Sequence, residues 1–137
     1  MNAKLSAFLL AGWGLFSQVP TNACTGITLK SKDGATIAAR TIEWAESVMN
    51  NMYVVVPRNQ ELQSFTPSGM DGVKFKVKHG FVGLAVEQKE FMVEGINEKG
   101  LSAGLFYFPN YGKYQPYDAA QKEKSLSDFQ VVSYVLA

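Results

Sequence analysis

The twenty residues CTGITLKSKDGATIAARTIE, numbered 24–43, determine how the fold of this chain begins. Two segments rich in Thr and Ile flank the dipeptide Asp33-Gly34. β-Branched residues favour strands. Asp-Gly is a preferred pair for the two-residue turn of a β-hairpin. The stretch therefore predicts a hairpin with its turn at this dipeptide.

The two-residue turn fixes a register between the two strands. It pairs Lys32 with Ala35 and, continuing outward, sets Cys24 directly opposite Glu43. In the same register Arg40 faces the other side of the hairpin. Arg40 reaches the Cys24 side only if a bulge or a twist intervenes.

The segment before the hairpin has the pattern of an export signal. Lys4 precedes an uncharged, mostly apolar run at 5–16, and a small residue, Ala23, stands before Cys24. The run is too short for a bilayer, which needs about 20 residues, but it suits a signal-peptide core. We expect removal of residues 1–23, export to the periplasm or beyond, and a mature chain that begins with cysteine and has no stable membrane insertion.

Composition narrows the range of functions. The chain has 137 residues, enough for one domain. Its 13 Lys and Arg nearly balance 12 Asp and Glu, so it lacks the basic surface that nucleic acid requires, and we expect no nucleic-acid partner. One cysteine and one histidine, His79, exclude a metal site built from Cys and His clusters. We expect no metal and no cofactor, and a homo-oligomer when the protein is full length.

The rest of the chain predicts a strand-rich domain with one terminal helix. The predicted strands are 52–56, 73–79, 81–86, 90–95 and 101–108. The last of these is apolar on both sides and is expected to be internal. Residues 58–72 are predicted to be a loop, and a helix is predicted from about Asp128. Because the chain stops inside that apolar helix, we interpret residues 24–137 as the N-terminal part of a longer domain.

A terminal cysteine combines a nucleophile and a base in one residue. An α-amino group titrates near pH 8 and a thiol at about 8.5, so the amine can accept the thiol's proton. The thiolate then attacks an amide carbonyl and forms a thioester, which water hydrolyses. Glu43 would hold the amine of Cys24, and Arg40 would favour the thiolate. A surface ion pair explains Glu43 and Arg40 equally well.

Three motifs in order resemble the choloylglycine hydrolase family, which contains bile salt hydrolases and penicillin V acylases. They are Cys24-Thr25-Gly26, Arg40-Thr41-Ile42-Glu43-Trp44 and Gly95-Ile96-Asn97-Glu98-Lys99-Gly100-Leu101. The resemblance implies an N-terminal-nucleophile hydrolase with an α+β fold, the four-layer αββα sandwich.

The resemblance also implies roles for single residues. Cys24 matches the nucleophile, Arg40 the active-site arginine, and Glu43 an aspartate that holds the nucleophile's amine. The backbone N–H of Phe106 falls where the family has an oxyanion-hole residue. Separately, Trp44, Met49 and Met52 follow the candidate site residues and are predicted to line an apolar acyl pocket. Ordinary core packing is the better explanation for any single one of them.

The resulting function is an exported cysteine amidase that takes a small-molecule amide, a conjugated bile salt, and releases glycine or taurine. A penicillin V acylase is the alternative within the family. Lipidation of Cys24 would instead give a membrane-anchored binding protein, because it removes both the free thiol and the free amine. The preceding residues Thr21-Asn22-Ala23 fit a lipidation signal poorly. A non-catalytic β-rich binding module is a further alternative.

Overall fold

The computed structural model describes residues 24–43, 48–107 and 111–137. The described part is mostly sheet with one α-helix, a composition compatible with an α+β fold. The predicted signal segment 1–23 and Trp44 lie outside the described residues.

The first two strands form the predicted hairpin with a different turn. Strands β1 (Gly26–Lys30) and β2 (Thr36–Arg40) are antiparallel, and Gly26 pairs with Arg40. The prediction of a two-residue turn was wrong, because the loop has three residues and is closed by the Ser31 N–H donating to the Ala35 carbonyl at 2.9 Å. Gly34 ends this loop in the left-handed region with φ of +89°, which glycine adopts at little cost.

The change in register moves one side chain to the other face of the hairpin. Because Arg40 pairs with Gly26, it lies on the face that alternation gives to Cys24, two residues earlier. The predicted pairing put Arg40 on the opposite side. The wider loop thus brings Arg40 and Cys24 to one face without a bulge.

Four strands make the main sheet in the order β3, β6, β7, β8, all antiparallel. They are β3 (Asn51–Val56), β6 (Phe81–Val86), β7 (Met92–Asn97) and β8 (Ser102–Gly104). The prediction of a strand at 81–86 is confirmed. The last strand was predicted to be internal, but among the described strands β8 lies at the sheet edge. The position of β8 in the sheet depends on which strands it pairs with, and the apolar character of its sequence does not reveal that.

A smaller two-stranded ladder and the helices complete the described part. The strands are β4 (Glu61–Gln63) and β5 (Lys74–Lys76), the 3-10 helices are Ala119–Lys124 and Asp128–Gln130, and the α-helix α1 is Val131–Leu136. Strand β4 lies inside the segment predicted to be a loop, so that prediction was wrong for three residues. Their partners are residues 74–76, eleven or more positions along the chain, which no local pattern reveals.

The core lies between one face of the main sheet and α1. Its buried members are Val56, Val77, Phe81, Met92, Val132 and Leu136. The opposite face carries an apolar row in which Val55 pairs with Val82 and Val82 with Ile96, and all three are exposed. The sheet therefore has one packed and one open face in the described part of the chain.

Two buried polar side chains fasten the core. The amide of Gln130 accepts hydrogen bonds from Ser64 Oγ at 3.0 Å and from the Phe65 N–H at 2.6 Å, and it donates to the Gln63 carbonyl. Asn97 donates to the Leu136 carbonyl at 3.0 Å and accepts from the Leu101 N–H. These bonds tie the C-terminal helices to the sheets.

Candidate active site

Cys24 lies at the open end of the hairpin and is half-buried. Its Sγ is 3.8 Å from the Glu43 carbonyl oxygen. A backbone hydrogen bond joins the two segments at the open end of the hairpin, since the Thr41 N–H donates to the Thr25 carbonyl at 2.9 Å. The hairpin therefore fixes the residue next to Cys24 against the segment that carries Glu43.

The Glu43 carboxylate reaches the Cys24 strand through a hydroxyl. Thr41 Oγ1 donates to Glu43 Oε1 at 3.0 Å and accepts the Thr25 N–H at 3.0 Å. The sequence predicted Glu43 directly opposite Cys24, which was wrong, because the observed register sets Cys24 opposite Ile42. The prediction gave no role to Thr41. The available signal was its position within the Arg40–Trp44 motif, two residues before the acid.

Arg40 joins the hairpin to the main sheet. Its Nη1 donates to the Val93 carbonyl at 3.2 Å and to the Leu105 carbonyl, and its Nε donates to the Thr41 carbonyl at 3.2 Å. The guanidinium also lies over the Phe106 ring, 4.5 Å from the ring centroid. A guanidinium can serve several such acceptors at once because it has five donors in a planar fork. Arg40 thus anchors the end of β2 beside β7.

The Phe106 ring lies close to the backbone of Gly26. A Cβ added to Gly26 would lie 2.6 Å from Phe106 Cζ, so the ring would have to shift to make room for a larger residue. The same ring lies against the Arg40 guanidinium. The structure brings the ring of Phe106 to the hairpin, whereas the sequence argument concerned only its backbone N–H.

An apolar cavity of about 310 Å³ adjoins this segment. Its lining residues are Ile42, Val48, Met49, Val86, Glu87, Phe91, Val93 and Phe129. Ile42 is the neighbour of Glu43, so the cavity wall continues the chain segment that contacts Cys24. Met49, predicted to line an acyl pocket, lines this cavity. Cavities of this size and character hold small apolar ligands.

A second polar cluster has a structural role. The Asp71 carboxylate accepts hydrogen bonds from Thr66, from Lys122 and from Ser68, which together lower the pKa of Asp71 to about 2. Lys122 belongs to the 3-10 helix Ala119–Lys124, so the cluster ties that helix to the loop before β5. Among the described residues, no group of three or more His, Cys, Asp or Glu is arranged to hold a metal.

The comparisons assign the chain to a family. It belongs to the choloylglycine hydrolase family of linear amide C–N hydrolases, whose model matches residues 24–137. That match confirms the resemblance seen in the motifs.

Two relatives are similar over most of the chain. A bile salt hydrolase/transferase of Clostridium perfringens (strain 13 / Type A) is 27% identical over 114 residues, which are 83% of this chain and 33% of the relative. An uncharacterised protein of Paramecium bursaria Chlorella virus 1 is 25% identical over 129 residues, 82% of this chain and 37% of the relative. The chain thus spans about a third of the length of these relatives. No solved structure gives a significant match.

None of the described residues belongs to a helix with the length and hydropathy that a bilayer crossing requires.

Proposed function

We propose that the full-length protein is an exported amidase that hydrolyses linear amides through the thiol of Cys24. The observation that carries this proposal is the family match, which begins at Cys24. The hairpin supports it, because the thiol lies beside the segment of Glu43. Removal of residues 1–23 would free the α-amino group that the mechanism needs.

The reaction proceeds in two steps at Cys24. The α-amine takes the proton of Sγ, the thiolate attacks the amide carbonyl carbon, and the tetrahedral intermediate collapses to a thioester. The leaving amine departs with the proton that the α-amine held. Water then loses a proton to the α-amine and attacks the thioester carbonyl, which releases the carboxylic acid and restores the thiol.

The neighbouring residues take roles that follow from their contacts. The Glu43 carboxylate, oriented by the Thr41 hydroxyl, holds the α-amino group in place. Arg40 fixes the hairpin end with its hydrogen bonds and lies on the hairpin face shared with Cys24. Its proposed role is to favour the thiolate through its positive charge. The Phe106 N–H serves as an oxyanion donor, a task for which a backbone group suffices.

The cavity and the family support the proposed substrate class. The cavity beside Ile42 and Met49 is apolar except for Glu87, and it suits the acyl part of an amide. Because a similar protein of Clostridium perfringens is a bile salt hydrolase/transferase, conjugated bile salts are the proposed substrates. Trp44 is proposed to line the same pocket. No metal or cofactor takes part in this mechanism.

The described residues would form one part of a four-layer αββα sandwich. The exposed row Val55, Val82 and Ile96 on the open sheet face would pack against a second sheet. Residues 24–137, which match about a third of each relative, would then be one part of that domain. We also propose that the full-length protein is a homo-oligomer and that it acts in the periplasm or outside the cell.

Hydrolysis assays with matched variants test the function. The full-length protein, Cys24→Ser and Cys24→Ala are each given glycocholate, taurocholate and penicillin V. We expect the wild type to cleave the bile salts faster than penicillin V, and both variants to lose at least about a hundredfold in kcat/KM. Full activity in Cys24→Ala would overturn the mechanism. Cleavage of penicillin V alone would favour the acylase.

A further inference from the structure

Glu87 has a backbone conformation that its side chain does not favour. It follows β6 with φ of +63°, in the left-handed region where a residue with a Cβ is strained. Asn and Gly occupy this region more readily. A glutamate here needs compensating contacts, and its carboxylate makes them.

The compensating contacts all involve Asn50. Glu87 Oε1 accepts the Asn50 N–H at 3.0 Å, and Glu87 Oε2 accepts Asn50 Nδ2 at 3.1 Å. The Glu87 N–H donates to the Asn50 carbonyl at 2.8 Å. The Asn50–Glu87 pair thus extends the β3–β6 ladder one step beyond its last pair, Asn51 with Val86.

The pair stands where two walls of the apolar cavity meet. Val48 and Met49 come directly before Asn50, while Val86 and Phe91 flank the turn that Glu87 begins. The Val86 N–H donates to the Phe91 carbonyl at 3.0 Å and closes that turn. The position of each wall relative to the other therefore depends on the Asn50–Glu87 contact.

We propose that Asn50 and Glu87 are positioning residues that fix the width of the acyl cavity and so set the affinity for an apolar, uncharged acyl group. This inference rests on the proposed function of the site. Neither residue takes part in bond making. Glu87 is the one charged side chain among the described lining residues, and it disfavours an anionic group at the same place.

Variants that exchange the amide and the carboxylate between positions 50 and 87 test the pair. Asn50→Asp sets two carboxylates against each other. Glu87→Gln alone stays paired, because the Asn50 amide can turn its oxygen toward the new NH₂ group while the Gln oxygen accepts the Asn50 N–H. The double variant restores a donor opposite an acceptor and keeps the oxygen that accepts the residue-50 N–H. In the full-length protein we expect Asn50→Asp to raise KM for glycocholate about tenfold at nearly unchanged kcat, and both Glu87→Gln and the double variant to stay within about threefold of wild type.

A binding readout separates this inference from the proposed function. With [ε-¹³C]methionine, the Met49 methyl signal, assigned by its loss in Met49→Leu, is followed during titration with cholate. We expect the signal to shift in the wild type, the apparent Kd to rise about tenfold in Asn50→Asp, and Glu87→Gln and the double variant to stay near the wild-type value. Cholate binding by a wild type that hydrolyses no amide would overturn the proposed function alone. Unchanged KM and Kd in Asn50→Asp, or a double variant as weak as Asn50→Asp, would overturn the role of the pair.

Discussion

Arg40 is expected to stabilise the junction between the hairpin and the sheet by about 3.5 kcal/mol. Two hydrogen bonds from its charged Nη1 to the partly buried carbonyls of Val93 and Leu105 contribute about 1.5 kcal/mol each. The contact with the Phe106 ring adds about 0.5 kcal/mol at an exposed site. The bond from Nε to Thr41 is exposed and adds little. Arg40→Met, which keeps the aliphatic length, should therefore lower the free energy of unfolding by about 3.5 kcal/mol.

Urea unfolding of the full-length protein, followed by intrinsic fluorescence, measures this loss. Arg58→Met is the matched control, because Arg58 makes an exposed ion pair with Glu98 at 2.6 Å and such pairs contribute little. Arg40→Lys should retain part of the stability, since an ammonium lacks the planar fork. An Arg40→Met variant no less stable than Arg58→Met would refute the anchoring role.

Three further outcomes are expected. Gln130→Leu leaves the Phe65 N–H without its acceptor in a buried place and should cost about 2 to 3 kcal/mol in urea unfolding, and a neutral result would contradict the role of the buried amide. The pKa of Asp71 is about 2 in the folded protein, below its ordinary 3.8, so its contribution is complete above about pH 4 and is lost as the pH falls toward 2. The melting temperatures of wild type and Asp71→Asn should therefore converge near pH 2, and a constant gap from pH 6 to 2 would refute this assignment. Thr41→Val should lower kcat about tenfold and alter its pH profile while Thr41→Ser stays near wild type; equal effects in both would mean that the hydroxyl does not orient Glu43.

The hairpin was predictable from its β-branched residues, but its register was not. Asp-Gly favours a two-residue turn, whereas here the Asp33 carboxylate accepts from the Ser31 hydroxyl and from the Ala35 N–H at 3.3 Å. These local bonds stabilise the longer loop that ends at Gly34. A shift of one residue reverses the face of every side chain on one strand relative to the other, and this moved Arg40 to the Cys24 face.

The candidate site was predictable where its residues are close to the hairpin end and not where they meet through the tertiary fold. Cys24 and Glu43 follow from the motifs, but their predicted direct pairing was wrong. The observed register sets Cys24 opposite Ile42, and the thiol contacts Glu43 through the backbone carbonyl. Asn50 and Glu87 are 37 positions apart and meet only because β3 pairs with β6. Their roles as site residues stay predictions until variants are measured.

The central claim is that Cys24 is the free N-terminal nucleophile of the mature protein. The intact mass of the exported full-length protein, measured before and after alkylation with iodoacetamide, tests it most directly. The account predicts a mass that begins at unmodified Cys24 and, after alkylation, a carbamidomethyl group on Cys24 in the N-terminal peptide, with loss of amide hydrolysis. A mass that retains residues 1–23, or that carries acyl chains on Cys24, would contradict the account.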